Sequence, residues 1–296
     1  MDTRPPTTAA AKNAESTTQS RRDRLRPVAQ PVADERERPP VHFGKRHRQE
    51  CTLGIAQHEI AQTHGAVERA FDRLVVYADR EHSANLAYLT GFDPRFEEAV
   101  LVIGPMGAPA ILVGNECYGL AGAAPLTMRR ERFQDLSLPS QPRDRSRPLA
   151  EILADEGIGR GSRVGVIGWK TYGDPQRSDA PAYLIDQIRA LVGDPGLVEN
   201  ATDLMIDAAD GLRVINEVEQ LAALEHAACR TSAGVRRVLS GLRPGMTEHE
   251  AVRLLEWDGT PLSCHLMLRA GPDASLGLLS PGDRPIERGD RFTVAF

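Results

Sequence analysis

The histidines, cysteines, carboxylates and glycines that could do chemistry fall into small groups, and each group fails on spacing. His58-Glu59 and His64 have the residue types of a zinc-protease helix, but that site needs its two histidines four residues apart on one face. At 3.6 residues per turn, the six-residue step leaves them about 120° apart, so this reads as a helix surface. Cys264 and His265 offer a nucleophile and a base, yet neighbours on a strand point to opposite faces, and His265 reads as structural. Asp203, Asp207 and Asp210 share one helical face, but carboxylates without a histidine make a poor catalytic centre, and the face reads as solvated. Gly157, Gly159 and Gly161 suggest a dinucleotide loop. Such a loop follows a strand and opens a helix, whereas here a helix precedes and a strand follows, which leaves a plain turn. Cys51, Cys117, Cys229 and Cys264 have no CxxC spacing, which argues against structural zinc. The residues by themselves nominate no catalytic and no metal-binding group, and leave substrate-binding residues open.

The elements that would position such groups are legible in outline. Ile60, Val67 and Phe71 mark a helix face, followed by a strand at 74–77. Residues 98–103 and 110–113 make a hairpin around Gly104-Pro105-Met106-Gly107. Ser146-Arg147-Pro148 opens a helix with serine as its cap; 163–167 is a strand, and 181–191 is an amphipathic helix. Strands alternating with helices imply an α/β domain. A linking segment, 200–212, leads to a long helix over 216–240. Its buried stripe would run through Val218, Leu221, Ala222, Ala228, Val235, Val238 and Leu239, and Gly241 would end it. Thr247 and Glu250 form a capping box for a short helix, and strands follow at 264–269 and 291–295.

Composition bounds the class. The chain has 296 residues, 41% hydrophobic and 26% charged, enough for a sizeable core and two domains. The apolar stretch from Ala99 to Asn115 is broken by Gly104, Pro105, Gly107 and Pro109, so it is a hairpin and no membrane span. The first residues lack the apolar segment of a secretory signal, and reduced thiols in a cytoplasm are the default expectation. Residues 21–50 carry nine Lys/Arg against five Asp/Glu, on a body that is otherwise acidic. Such a basic arm can touch nucleic acid or anionic lipid. Its low net charge and few large apolar groups favour a plain disordered tail or a start codon set too far upstream.

Several segments together resemble one family. "NLAYLTGF" (Asn85 to Phe92) and "EEAVLVI" (Glu97 to Ile103) are similar to the N-terminal domain of the creatinase and Xaa-Pro aminopeptidase family. "LRVINEVEQLAALEHA" (Leu212 to Ala227) and "GLRPGMTEHE" (Gly241 to Glu250) resemble the start of its catalytic pita-bread domain. "GPDASLGLLSPGDRPIERGD" (Gly271 to Asp290) resembles a later glycine segment and turn. Their order and spacing carry the resemblance more than any one of them.

The resemblance implies a fold and a chemistry. The fold is an α/β N-terminal domain followed by an α+β pita-bread domain, here incomplete. The expected division is an arm over 1–54, an N-terminal-like domain over 55–200 and the first part of the pita-bread domain over 201–296. Family members use two divalent metals (Mn, Co or Zn) about 3.5–4 Å apart to activate a water. The ligands are two aspartates, a histidine and two glutamates, and a further histidine meets the substrate. The reaction cleaves the bond before a penultimate proline, or in creatinases a guanidino C–N bond. A homodimer through the N-terminal domain is also implied.

Two positions depart from that pattern. Counting from Gly289-Asp290, the first metal aspartate falls at Ala295, flanked by Val294 and Phe296. Counting from Gly271, the substrate histidine falls at Leu278, beside Leu279 and Ser280. The expectation is therefore a truncated, non-catalytic homologue without a cofactor, read as a fragment or frameshifted product because Phe296 lies within an apolar strand. The alternative is part of an active dinuclear-metal peptidase or C–N hydrolase whose ligands lie beyond Phe296. A nucleic-acid-associated protein acting through the arm is the weaker third reading.

Overall fold

Short aliphatic runs build the first layer. Strand β1 (Arg73–Ala78), β2 (Ala99–Ile103), β3 (Ala110–Val113) and β5 (Val164–Ile167) are buried from end to end apart from Arg73. Strands buried on both faces must be covered by helices on both. The structure, a computed structural model, describes residues 69–296. In it six strands form one mixed sheet, with β4 (Arg129–Arg132) and β6 (Val198–Asn200) at the edges and the order β4-β3-β2-β1-β5-β6. β2 pairs antiparallel with both β1 and β3, whereas β3–β4, β1–β5 and β5–β6 are parallel. Edge strand β4 reads RRER, and its charges blunt pairing with another chain.

Alternation along the strands divides the side chains between two cores. Leu74, Val76, Leu101 and Ile111 face α1 (Ala84–Thr90), α2 (Cys117–Ala121) and α5 (Asp203–Ile206). Val75, Val100, Val102 and Leu112 face α3 (Leu149–Asp155) and α4 (Ala182–Val192). The result is the layered α/β arrangement expected of alternating strands and helices. The expected hairpin is present, with Ala99 opposite Val113 and Gly107 at φ 85° in its turn. Gly157 and Gly161, both at positive φ, turn the chain from α3 into β5 as read from the sequence.

Three local expectations are corrected. Ser146 does not cap α3; Pro148 takes the cap position, and the Ser146 hydroxyl instead accepts the Gln134 N–H. Segment 200–212 is no bare linker, because Ala201, Leu204 and Met205 are buried in the first core and Leu212 packs on it. Asp203, Asp207 and Asp210 do not share a helical face, since α5 ends at Ile206. Asp203 pairs with Arg69 at 2.8 Å, and Asp207 accepts the Ala209 N–H. The helix face at Ile60 and Val67 lies outside the described residues; Phe71 follows a turn and packs on the core.

The second part holds α6 (Val218–Gly241), α7 (Glu248–Arg253) and an antiparallel pair, β7 (Met267–Ala270) with β8 (Phe292–Ala295). Ala251, Leu268, Ala270 and Ile286 form its small core. The α6 stripe is not buried as expected: Val218 is 77% exposed, Leu221 53% and Leu239 61%, and only Gly234 and Val238 are buried. The helix includes Gly241 and ends one residue later than read. Cys264 and His265 precede β7 and lie outside the strand. Among the described residues no helix is long and apolar enough to cross a membrane.

Candidate functional site

The strand pair β7–β8 carries Ala295, one of the two positions that the resemblance assigns to chemistry. Met267 stands opposite Ala295, Leu268 opposite Val294 and Arg269 opposite Thr293. The methyl of Ala295 offers no donor atom, and neither flanking residue has one. Leu278 is 74% exposed on the loop after a 3₁₀ turn over Gly271–Leu276, with nothing to act as a base. The Phe296 ring lies against α6, where a Cβ at Gly234 would come within 2.9 Å of its Cζ, so Gly234 is the residue that admits the ring. Among the described residues no three His, Cys, Asp or Glu gather to hold a metal ion. By donor chemistry the described residues at these positions do not fit a two-metal centre.

One carboxylate in this half does have a defined environment. Glu248, in the first turn of α7, is fully buried and accepts from Arg269 Nη1 at 2.7 Å and from the N–H groups of Ala270 and Gly282 at 2.8 Å each. Burial alone would push its carboxyl up; the two N–H groups and the guanidinium outweigh that and hold it below the ordinary glutamate range. With its acceptors filled, Glu248 holds β7 and the 282 loop to α7. The Thr247–Glu250 capping box beside it is present as read: each residue's side chain accepts the other's N–H.

A denser cluster lies beyond the carboxyl ends of the parallel strands β1 and β5, where open α/β sheets place ligands. Asp79 follows β1 and accepts from His82 Nδ1 at 3.0 Å. Because a carboxylate only accepts, this contact puts a proton on Nδ1. The His82 ring stacks on Trp169 at 4.2 Å between centroids, and Lys170 Nζ stands 4.2 Å from the same indole. Asp179 accepts the Trp169 N–H at 2.7 Å, and a Cβ at Gly168 would collide with that carboxylate. Asn85 donates to the Gly168 carbonyl at 2.6 Å and accepts from Arg213 at 2.9 Å, which joins the 212 segment to this corner. Burial opposes ionisation of Asp79, but the His82 side chain and the N–H groups of His82 and Glu81 hold its carboxyl low. Nearby, burial and the Glu98 carboxylate push the Tyr77 and Tyr183 phenols well above their usual range. This corner offers an aromatic face, an ammonium, a carboxylate and a histidine.

Sequence reading missed this cluster, although an aspartate directly after an apolar strand and a Gly-Trp-Lys directly after another are its visible signals. Of the residues it weighed, Cys117 is buried, donates to the Pro94 carbonyl at 3.0 Å, and has its thiol pushed up to about 12 by burial and Glu97, so it is inert. Cys229 is exposed on α6. Cys51, His58, Glu59 and His64 lie outside the described residues.

Neither the known protein families nor the curated proteins include a match to this sequence. Solved structures do match. A prolidase from Pyrococcus horikoshii OT3 superposes with a TM-score of 0.57 at 15% identity, over 81% of this chain and 59% of that one. A dipeptidase from Mycobacterium ulcerans gives 0.56 at 18%, over 84% and 61%. An X-Pro aminopeptidase from Thermotoga maritima MSB8 gives 0.56 at 15%, over 83% and 60%. The fold is that of the Xaa-Pro peptidases. The chain spans about 60% of the length of these structures.

Proposed function

We propose that this chain is a non-catalytic homologue of the creatinase and Xaa-Pro aminopeptidase family, a binding protein that keeps the fold without the metal chemistry. One observation supports the reading: counted from Gly289-Asp290 as the resemblance implies, the first metal aspartate falls at Ala295, which ends β8 opposite Met267. Val294 and Phe296 beside it offer no substitute ligand, and the count from Gly271 that the resemblance implies puts Leu278 at the substrate histidine. Without a metal hydroxide, no group among the described residues is placed to make a nucleophile at neutral pH. The test is calorimetry with Mn²⁺, Co²⁺ and Zn²⁺, paired with turnover of an Xaa-Pro dipeptide and of creatine. The expected result is metal binding no tighter than that of an exposed histidine and turnover equal to buffer. Two stoichiometric sites of micromolar affinity would overturn it.

The second reading is an active hydrolase whose ligands come from residues outside this sequence. The likeness to proteins named prolidase and dipeptidase favours it. Metal-dependent product release that follows the protein through two orthogonal columns decides for this reading.

A further inference from the structure

Val113 and Arg132 end the parallel neighbours β3 and β4, and the chain turns outward after both. The crevice outside those two carboxyl ends is a cavity of about 370 Å³ with mixed polar and apolar walls, which include Asn115, Arg132, Gln134, Asp144 and Arg145. It is independent of β7–β8 and of the cluster around His82. Its floor is built: Gln134 is buried, donates through Nε2 to Asn115 Oδ1 at 2.9 Å, and accepts the Arg145 N–H. Ser146 accepts the Gln134 N–H, and Asn115 donates to the Pro142 carbonyl at 2.9 Å. These bonds tie the 142–146 loop across the ends of the two strands.

The charges inside are unbalanced. Arg132 holds its guanidinium over the Tyr118 ring at 4.4 Å, and its Nε is buried without a hydrogen-bond partner. No carboxylate among the described residues pairs with Arg132 or with the Arg145 side chain. Asp135 is engaged by Arg143 at 3.2 Å. Among the lining residues Asp144 is the one carboxylate beside two guanidiniums, and Glu116 next to them accepts from Gln141 at 3.1 Å. Two guanidiniums lining one crevice, neither ion-paired among the described residues, match the charge of an oxyanion, and a guanidinium fork fits its paired oxygens.

We propose that this crevice is a binding site for a small-molecule oxyanion, a carboxylate or a phosphate, held by Arg132 and Arg145. It goes beyond the proposed function and depends on neither reading of the metal site. The test is titration calorimetry of the full chain at low ionic strength with inorganic phosphate and, separately, malonate. At least one probe binds with 1:1 stoichiometry. Arg132→Gln weakens that binding at least tenfold, and Asp144→Asn, which removes the competing negative charge, tightens it severalfold. Phosphate binding alone assigns the site to phosphate esters, malonate alone to carboxylates, and both to either group. No binding of either probe overturns the proposal, as does unchanged affinity in a folded Arg132→Gln. If Arg132→Gln does not fold, Asp144→Asn decides by itself, and unchanged affinity there overturns the proposal.

Discussion

Glu248 takes hydrogen bonds from Arg269 Nη1 and from the Ala270 and Gly282 N–H groups, and has no solvent exposure. Removing one partner of a buried charge pair leaves the other uncompensated, which costs about 3–5 kcal/mol. Glu248→Gln should therefore lower the stability of the 241–296 region by about 3 kcal/mol, measured by denaturant unfolding followed at that region's amides. Glu248→Gln with Arg269→Met should cost less than the two changes added together. The pH dependence has a definite sign. The folded carboxyl titrates below the ordinary value of 4.5, so its contribution is fully present above that value and is lost as pH falls through the lower, folded value. The stability of wild type should thus fall below pH 4.5 more steeply than that of Glu248→Gln. The capping box at Thr247–Glu250 was legible in the sequence because a cap is closed by residues three apart. The role of Glu248 was not, because its partners lie 21 to 34 residues away.

Helix α6 separates what periodicity reveals from what it leaves open. Its apolar positions fall at helical spacing, so the helix itself was legible. Burial depends on what packs against it, and Val218, Leu221 and Leu224 have no such cover among the described residues. Exposed apolar side chains contribute little to stability, whereas truncating a buried one leaves a cavity. Leu221→Ala and Leu224→Ala should each change stability by no more than about 0.5 kcal/mol. Val238→Ala, at a position with no exposure, should cost about 1–2 kcal/mol. A loss of several kcal/mol at Leu221 would mean that the stripe is covered after all. The same distinction applies to the sheet. The β2–β3 hairpin could be read because its strands adjoin in sequence. The strand order β4-β3-β2-β1-β5-β6 could not, because it rests on parallel pairings between distant segments.

Hydrogen bonding between the two parts of the chain stops where α6 begins. Among the described residues, hydrogen bonds and ion pairs from 217–296 stay within 217–296, while Leu212 and Arg213 still bond to Tyr88 and Asn85 of the first layer. The first layer has two extensive cores, and the second part has one small one. Regions with few buried apolar contacts open at low free energy, and a protease samples such openings first. Limited digestion with a broad-specificity protease should therefore cut between 214 and 232. The first-layer fragment, containing residues 69–213, should persist long after that cut because its strands are buried on both faces. Hydrogen exchange should rank the same way: slowest in β1, β2, β3 and β5, faster in β7 and β8, and fastest over 218–232 of α6. Initial cleavage inside 99–113 or 164–192, or slow exchange across 218–232, would show that the two parts open as a single cooperative unit.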